Sequence, residues 1–145
     1  VTTTPKVTQN IIQTNLVGSI YCCQIFSPLM FRNKSGSIIN FSTIAVQLGL
    51  KGESVYIASK AGVEGFSSSF AREAADFNIR VNCIAPGPID TDLLKGIDRK
   101  QIDKIIYQQV IPKQFIPSDV CDLVEFLLSN KSSSLSGQVL NVGGC

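Results

Sequence analysis

The chain has 145 residues, 44% of them hydrophobic and 17% charged, and carries a net charge of +2 at pH 7. It is long enough for one domain with one core and too apolar for disorder, and its positive balance is too small to suggest a nucleic-acid partner. It contains no His, which excludes Ser-His and Cys-His nucleophiles.

The five Cys, at 22, 23, 83, 121 and 145, form no C-x-x-C pair, so no metal site is expected. Reduced thiols suit a cytoplasmic setting. No apolar run reaches the roughly 18 residues of a membrane helix, and no signal peptide is visible, so no membrane partner is expected. Acid-base chemistry is left to Tyr, Lys and the carboxylates.

The opening "VTTTPKVTQN" lacks Met and reads as a loop entering a helix, as if the chain were a piece of something longer. Apolar residues from Val7 to Met30 recur at helical spacing, predicting one long helix from Pro5 to about Arg32 with Thr4 as its N-cap. "NKSG" breaks it, and "SIINFST" reads as a strand buried on both faces.

After the loop "IAVQLGLKGES" comes a second long helix, Val55 to Asp76, with Ala58, Ala61, Gly62 and Gly65 forming a flank that admits close approach. "IRVNCIAPG" is a second buried strand. Helices follow at Arg99 to Gln109 and at Ser118 to Ser129, the latter capped by Ser118. "SNKSSSLSG" is a polar loop and "GQVLNVGG" the last strand. Alternating strands and helices imply an α/β fold with a parallel sheet and right-handed crossovers.

Open parallel sheets bind ligands beyond the carboxyl ends of their strands. Three stretches converge there: "INFST" with Ser42 and Thr43, the helix bearing Tyr56 and Lys60, and "PGPIDTD" at 86 to 92. Composition alone would put a Tyr four places before a Lys about one time in five, so the pair needs this company.

With "TNLVG", "GSIINFS", "YIASKAG" and "RVNCIAPGPIDTD" in this order, the chain resembles the short-chain dehydrogenase/reductase family. That family sets an Asn 41 places and a hydroxyl residue 13 places before its Tyr; counting back from Tyr56 reaches Asn15 and Thr43. Most members have Ser at the second position. Ser42 lies one place early and would face the opposite side of an extended strand, so Thr43 is favoured, with Ser42 the alternative. Ordinary strand-end capping is the plain reading of either.

The resemblance implies a partial Rossmann-like doubly wound parallel sheet: its last three strands and their helices. It implies hydride transfer between NAD or NADP and a carbonyl or alcohol substrate, with Asn15, Thr43 (or Ser42), Tyr56 and Lys60 as the catalytic set. Tyr56 would move the proton, Thr43 orient the substrate oxygen, and Asn15 hold a relay water. Lys60 would bind the nicotinamide ribose and lower the phenol pKa from about 10 by about 1 to 3 units. Pro86, Gly87, Ile89 and Thr91 would join Tyr56 and Lys60 in contacting the cofactor.

The family's Gly-rich turn is not found here, neither G-x-G-x-x-G nor G-x-x-x-G-x-G. Residues 1–145 are thus expected to be the catalytic half, with the nucleotide-binding half absent. The substrate implied is a small carbonyl or alcohol, or one linked to acyl carrier protein. Arg32 and Lys34 are candidate contacts for that carrier, while Phe77 stands where a second basic residue often occurs. The family's long helices pair into homodimers or homotetramers, so a non-enzymatic assembly module is the alternative function.

Overall fold

The structure is a computed structural model that describes residues 3–145; the first two residues of the expected leading loop lie outside them. Thr4 starts the first helix as read, its Oγ1 accepting from Val7 N at 3.4 Å. The expected single helix is interrupted. Helix α1 (Pro5–Ile12) passes through a π turn, Gln13–Val17, into α2 (Gly18–Asn33). Lys34 then adopts φ 47°, the left-handed ending that "NKSG" implies.

Strand β1 (Gly36–Phe41) is followed by α3 (Ala45–Leu48), a helical turn inside the expected loop, and α4 (Ser54–Ala75). Strand β2 (Ile79–Pro86) leads through a 3-10 turn at Asp92–Leu94 to α5 (Arg99–Gln108) and α6 (Pro117–Leu128). A 3-10 turn at Asn130–Ser132 precedes β3 (Val139–Val142). Ser118 is not the cap of α6. That place belongs to Ile116, whose N–H donates to the Asp119 carboxylate at 2.8 Å.

The sheet is parallel throughout, in the order β1-β2-β3, and Gly36 pairs with Ile79 and Cys83 with Val139. Only the central strand matches the expectation of burial on both faces. β2 is almost wholly buried, whereas β1 is half-buried because no described strand covers its outer edge.

Pleating divides the side chains between two cores. On one face Ile79 and Val81 pack with Cys23 of α2 and with Phe70, Ala71 and Ala74 of α4. On the other, Ile84 and Val142 pack with Leu127 and Phe115 beneath α6. Helices on both faces make this a doubly wound layer.

Gly62 makes the contact between the π turn and α4 possible. A Cβ there would lie 2.8 Å from Leu16 Cδ2, so of the predicted small flank Gly62 serves a contact within the chain, while Ala58, Ala61 and Gly65 are exposed.

Candidate active site

The carboxyl ends of β1 and β2 open into a cavity of about 410 Å³. Ser42, Thr43, Tyr56, Pro86, Gly87, Ile89 and Thr91 all line it, so seven of the predicted residues come together there.

Alternation along β1 sorts the two hydroxyls. Asn40 and Ser42 both turn toward α4: Asn40 Nδ2 donates to Ser67 Oγ at 2.8 Å and Ser42 Oγ donates to Glu64 Oε1 at 2.6 Å. Ser42 is 5% exposed, with its hydroxyl engaged by that carboxylate. Thr43 instead lines the cavity with Tyr56 and acts to lower the phenol's pKa. Its Oγ1 also accepts from Ala45 N at 3.2 Å, which leaves its own O–H free to point away from the backbone.

Tyr56 and Lys60 sit one turn apart on α4, but the expected lowering of the phenol pKa is not found. Burial pushes Tyr56 above its ordinary value of 10, the Glu53 carboxylate pushes the same way, and only the Thr43 hydrogen bond pulls it down. Lys60 Nζ donates to Phe41 O at 2.9 Å, toward the strand end. Burial also lowers the Lys60 pKa, with Cys83 opposing that shift.

Asn15 lies in the π turn. Its Nδ2 donates to Ser59 Oγ at 3.1 Å, Ser59 Oγ donates on to Tyr56 O at 2.6 Å, and Ser19 Oγ donates to Asn15 O at 2.7 Å. A π turn displaces carbonyls from the regular helical ladder, which is why such turns recur at working sites. Asn15 thereby connects with the residue next to Lys60. It is not among the residues that line the cavity, and neither is Lys60.

The resemblance also implies a substrate-covering segment from Leu93 to Ile116, and from it Leu93, Leu94, Ile97, Ile102 and Ile105 form an apolar lobe to which Gln101 adds an amide; Glu53 is the polar residue of the wall that the sequence reading missed. Glu53 was legible in principle, since a residue three before Tyr56 shares its side of the helix. Ile89 is fixed by a bridge to Phe115, and Asp90 N donates to Phe115 O at 2.9 Å. Asp92 is exposed and paired with Lys95 at 2.7 Å. Arg32 ends α2, and Phe77 stacks on Phe31 with centroids 4.3 Å apart.

Among the described residues no group of three or more His, Cys, Asp or Glu could hold a metal ion. No described helix is long and apolar enough to cross a membrane.

A parallel sheet wound on both faces, with a helix-borne phenol and a strand-end hydroxyl meeting over its carboxyl edge, defines a Rossmann-type α/β protein. Comparison with known proteins narrows the class. A family model described as enoyl-(acyl carrier protein) reductase matches residues 1–144. The 3-oxoacyl-[acyl-carrier-protein] reductase FabG of Chlamydia muridarum is 42% identical over 137 residues, 93% of this chain and 54% of its own length. Its namesake from Staphylococcus epidermidis is 36% identical over 135 residues, 93% of this chain and 55% of its own. A crystal structure of 3-oxoacyl-[acyl-carrier protein] reductase from Brucella melitensis superimposes with a TM-score of 0.88 at 27% identity, covering 97% of this chain and 54% of that one. The chain belongs to the short-chain dehydrogenase/reductase family. It spans about half the length of the curated relatives it matches.

Proposed function

We propose that this chain carries the proton-transfer site of an NAD(P)-dependent oxidoreductase acting on a carbonyl or alcohol substrate. One observation carries the reading: Thr43 and Tyr56 line the same cavity on the sheet's carboxyl edge. Two converging hydroxyls are what one carbonyl oxygen requires, one to orient it and one to protonate it.

The residues present fit the nicotinamide end of such a cofactor. Pro86, Gly87, Pro88 and Ile89 form an apolar wall suited to a flat ring, and the Thr91 hydroxyl adds a polar atom beside it. Bound there, a reduced nicotinamide supplies the hydride. Everything else falls to the protein. Thr43 donates to the substrate oxygen, its direction fixed by the Ala45 N–H behind it. Tyr56, held protonated by its surroundings, donates the proton in reduction. Lys60 has three N–H donors and spends one on Phe41 O, which leaves two for a ribose or for the phenol. In this proposal Asn15 and the π turn hold the relay water.

The names of the relatives support a 3-oxoacyl substrate linked to acyl carrier protein. The test is carbonyl reduction followed by nicotinamide absorbance, comparing wild type with Tyr56→Phe and Thr43→Val. Tyr56→Phe is expected to lower the rate by at least about 100-fold. Equal rates in wild type and Tyr56→Phe would remove the assignment.

A second reading rests on the surface of α2. Tyr21, Ile25 and Leu29 are 54%, 67% and 60% exposed at helical spacing, as in a helix that packs against another subunit. It supports a homodimer or homotetramer, and in its stronger form an assembly module without enzymatic activity. Calorimetric titration with NADH and NADPH separates the two, because micromolar binding contradicts the module.

A further inference from the structure

The cavity is apolar over most of its wall and carries one charge. Of the residues that line it, Glu53 alone is ionisable near neutral pH; its other polar side chains are the hydroxyls of Ser42, Thr43, Tyr56 and Thr91 and the amide of Gln101. The acidic groups nearby are otherwise occupied or turned outward. Glu64 accepts from Ser42 on the α4 side, Asp92 pairs with Lys95, and Asp90 is exposed.

Among the described residues no side chain forms a salt bridge with Glu53. Its sequence neighbours of opposite charge do not reach it: Lys51 is exposed in the preceding loop, and Lys60 is engaged with Phe41 O. The Glu53 side chain caps nothing, although the residue stands at the N-cap of the 22-residue helix α4. The negative charge of Glu53 is felt at Tyr56, so it lies within electrostatic reach of the reacting end of the cavity.

We propose that Glu53 is a specificity-determining residue of this cavity. It selects an uncharged, apolar carbonyl compound bearing an N–H or O–H donor close to its carbonyl, and rejects one bearing a carboxylate or phosphate at that place. The apolar lobe of Leu93, Leu94, Ile97, Ile102 and Ile105 takes the hydrocarbon part. An unpaired carboxylate in a mostly apolar wall both attracts a donor and repels an anion. This inference rests on the site reading above, since it takes the Thr43–Tyr56 end as the carbonyl end.

The test measures binding, not turnover, on the 145-residue chain. Three probes share one tail: N-methyl-3-oxodecanamide, which is neutral with a donor; methyl 3-oxodecanoate, neutral without one; and 3-oxodecanoate, an anion. Wild type is expected to bind the amide at least about tenfold more tightly than the anion, with the ester between them. Glu53→Gln should close most of that gap. Glu53→Ala serves in the same role if the first variant folds poorly, because the side chain caps nothing.

Glu73→Gln, an exposed carboxylate elsewhere on α4, is the control for net charge and should leave the ratio unchanged. Equal ratios in wild type and both Glu53 variants, an equal shift in Glu73→Gln, or no binding of any probe would each overturn the proposal. The ratio is independent of proton transfer. Failure of the Tyr56 assignment would leave it intact, and its own failure would leave the Tyr56→Phe comparison intact.

Discussion

Asn15 Nδ2 donates to Ser59 Oγ at 3.1 Å, joining the π turn to the buried face of α4 one residue before Lys60. Ser59 is fully buried and passes its own proton to Tyr56 O, so the bond supports the helix segment that presents the phenol. Asn15→Ala is expected to lower stability by about 1 kcal/mol, the usual net value of such a bond. In a double-mutant cycle with Ser59→Ala, urea unfolding should give a coupling of about 0.5 to 1.5 kcal/mol. Additive losses would show that the two side chains do not cooperate.

Two glycines of α4 make a contrasting pair. Gly65 is exposed with open space where a Cβ would stand, so Gly65→Ala removes a helix penalty at no steric cost. It should stabilise by about 0.5 to 1 kcal/mol. Gly62→Val puts a branched side chain where Leu16 already lies 2.8 Å from the Cβ position, and should destabilise by about 1 to 3 kcal/mol. Urea midpoints moving in opposite directions check both.

Arg80 closes the end of α6. Its Nη1 donates to Ser132 Oγ at 2.9 Å, and its Nη2 donates to Leu127 O at 2.8 Å and to Ser129 O at 3.3 Å. A guanidinium on the last carbonyls of a helix adds charge-assisted bonds to a favourable dipole interaction. Arg80→Ala should cost about 2 kcal/mol. Arg80→Lys should recover only part of this, because one ammonium cannot span the same three acceptors. Thermal or urea unfolding of the three proteins gives the order.

Two of these partners of Arg80, Ser129 and Ser132, lie in what the sequence shows only as a Ser-rich loop, and they mark where reading residues in order stops being enough. β2 was legible because "IRVNCIAPG" is a short β-rich run that ends at Pro86-Gly87, of the length of a strand rather than a helix. The parallel α/β layer followed from the order of elements, and the choice of side for Ser42 and Thr43 from the two-residue period of a strand. The π turn was not legible, because "QTNLV" keeps the helical apolar spacing on either side of the extra residue. Ser118 looked like a cap because Ser often is one, yet Asp119 supplies the oxygen and Pro117 takes the first helical position. The sign of the Tyr56 shift also escaped, since it depends on burial and on the direction Lys60 takes, which spacing alone does not contain.

The cysteines divide by burial. Cys22, Cys121 and Cys145 are exposed, while Cys23 and Cys83 are buried. The Cys83 thiol is pushed up to about 11, first by burial and then by the Glu64 carboxylate, with Lys60 opposing. Burial likewise raises Cys23. Only thiolates alkylate readily, so iodoacetamide at mild alkaline pH should label three sites in the folded chain and all five after denaturation. Mass spectrometry of labelled peptides reads the outcome, and rapid labelling of Cys83 in the folded state would contradict the packing of β2 against α4.

The state of the Tyr56 proton links this structure to the direction of the chemistry. Burial raises the phenol above 10, Glu53 raises it further, and Thr43 holds it back. Near neutral pH the folded chain therefore presents a proton donor; under the proposed function this suits reduction, whereas oxidation would need the phenolate and should quicken as pH rises. Because the folded value exceeds the unfolded one, the associated stability is present below pH 10 and is lost as pH climbs through the folded pKa. In a background with Tyr21 and Tyr107 replaced by Phe, ultraviolet titration should show a single phenolate step above pH 10. Glu53→Gln should move that step down and Thr43→Val should move it up, the opposite signs following from repulsion by a charge and from a bond to the phenolate. The pH dependence of alcohol oxidation should move with the step in each variant. A step that stays fixed in both would mean that neither neighbour reaches the phenol, and the geometry of the site would have to be redrawn.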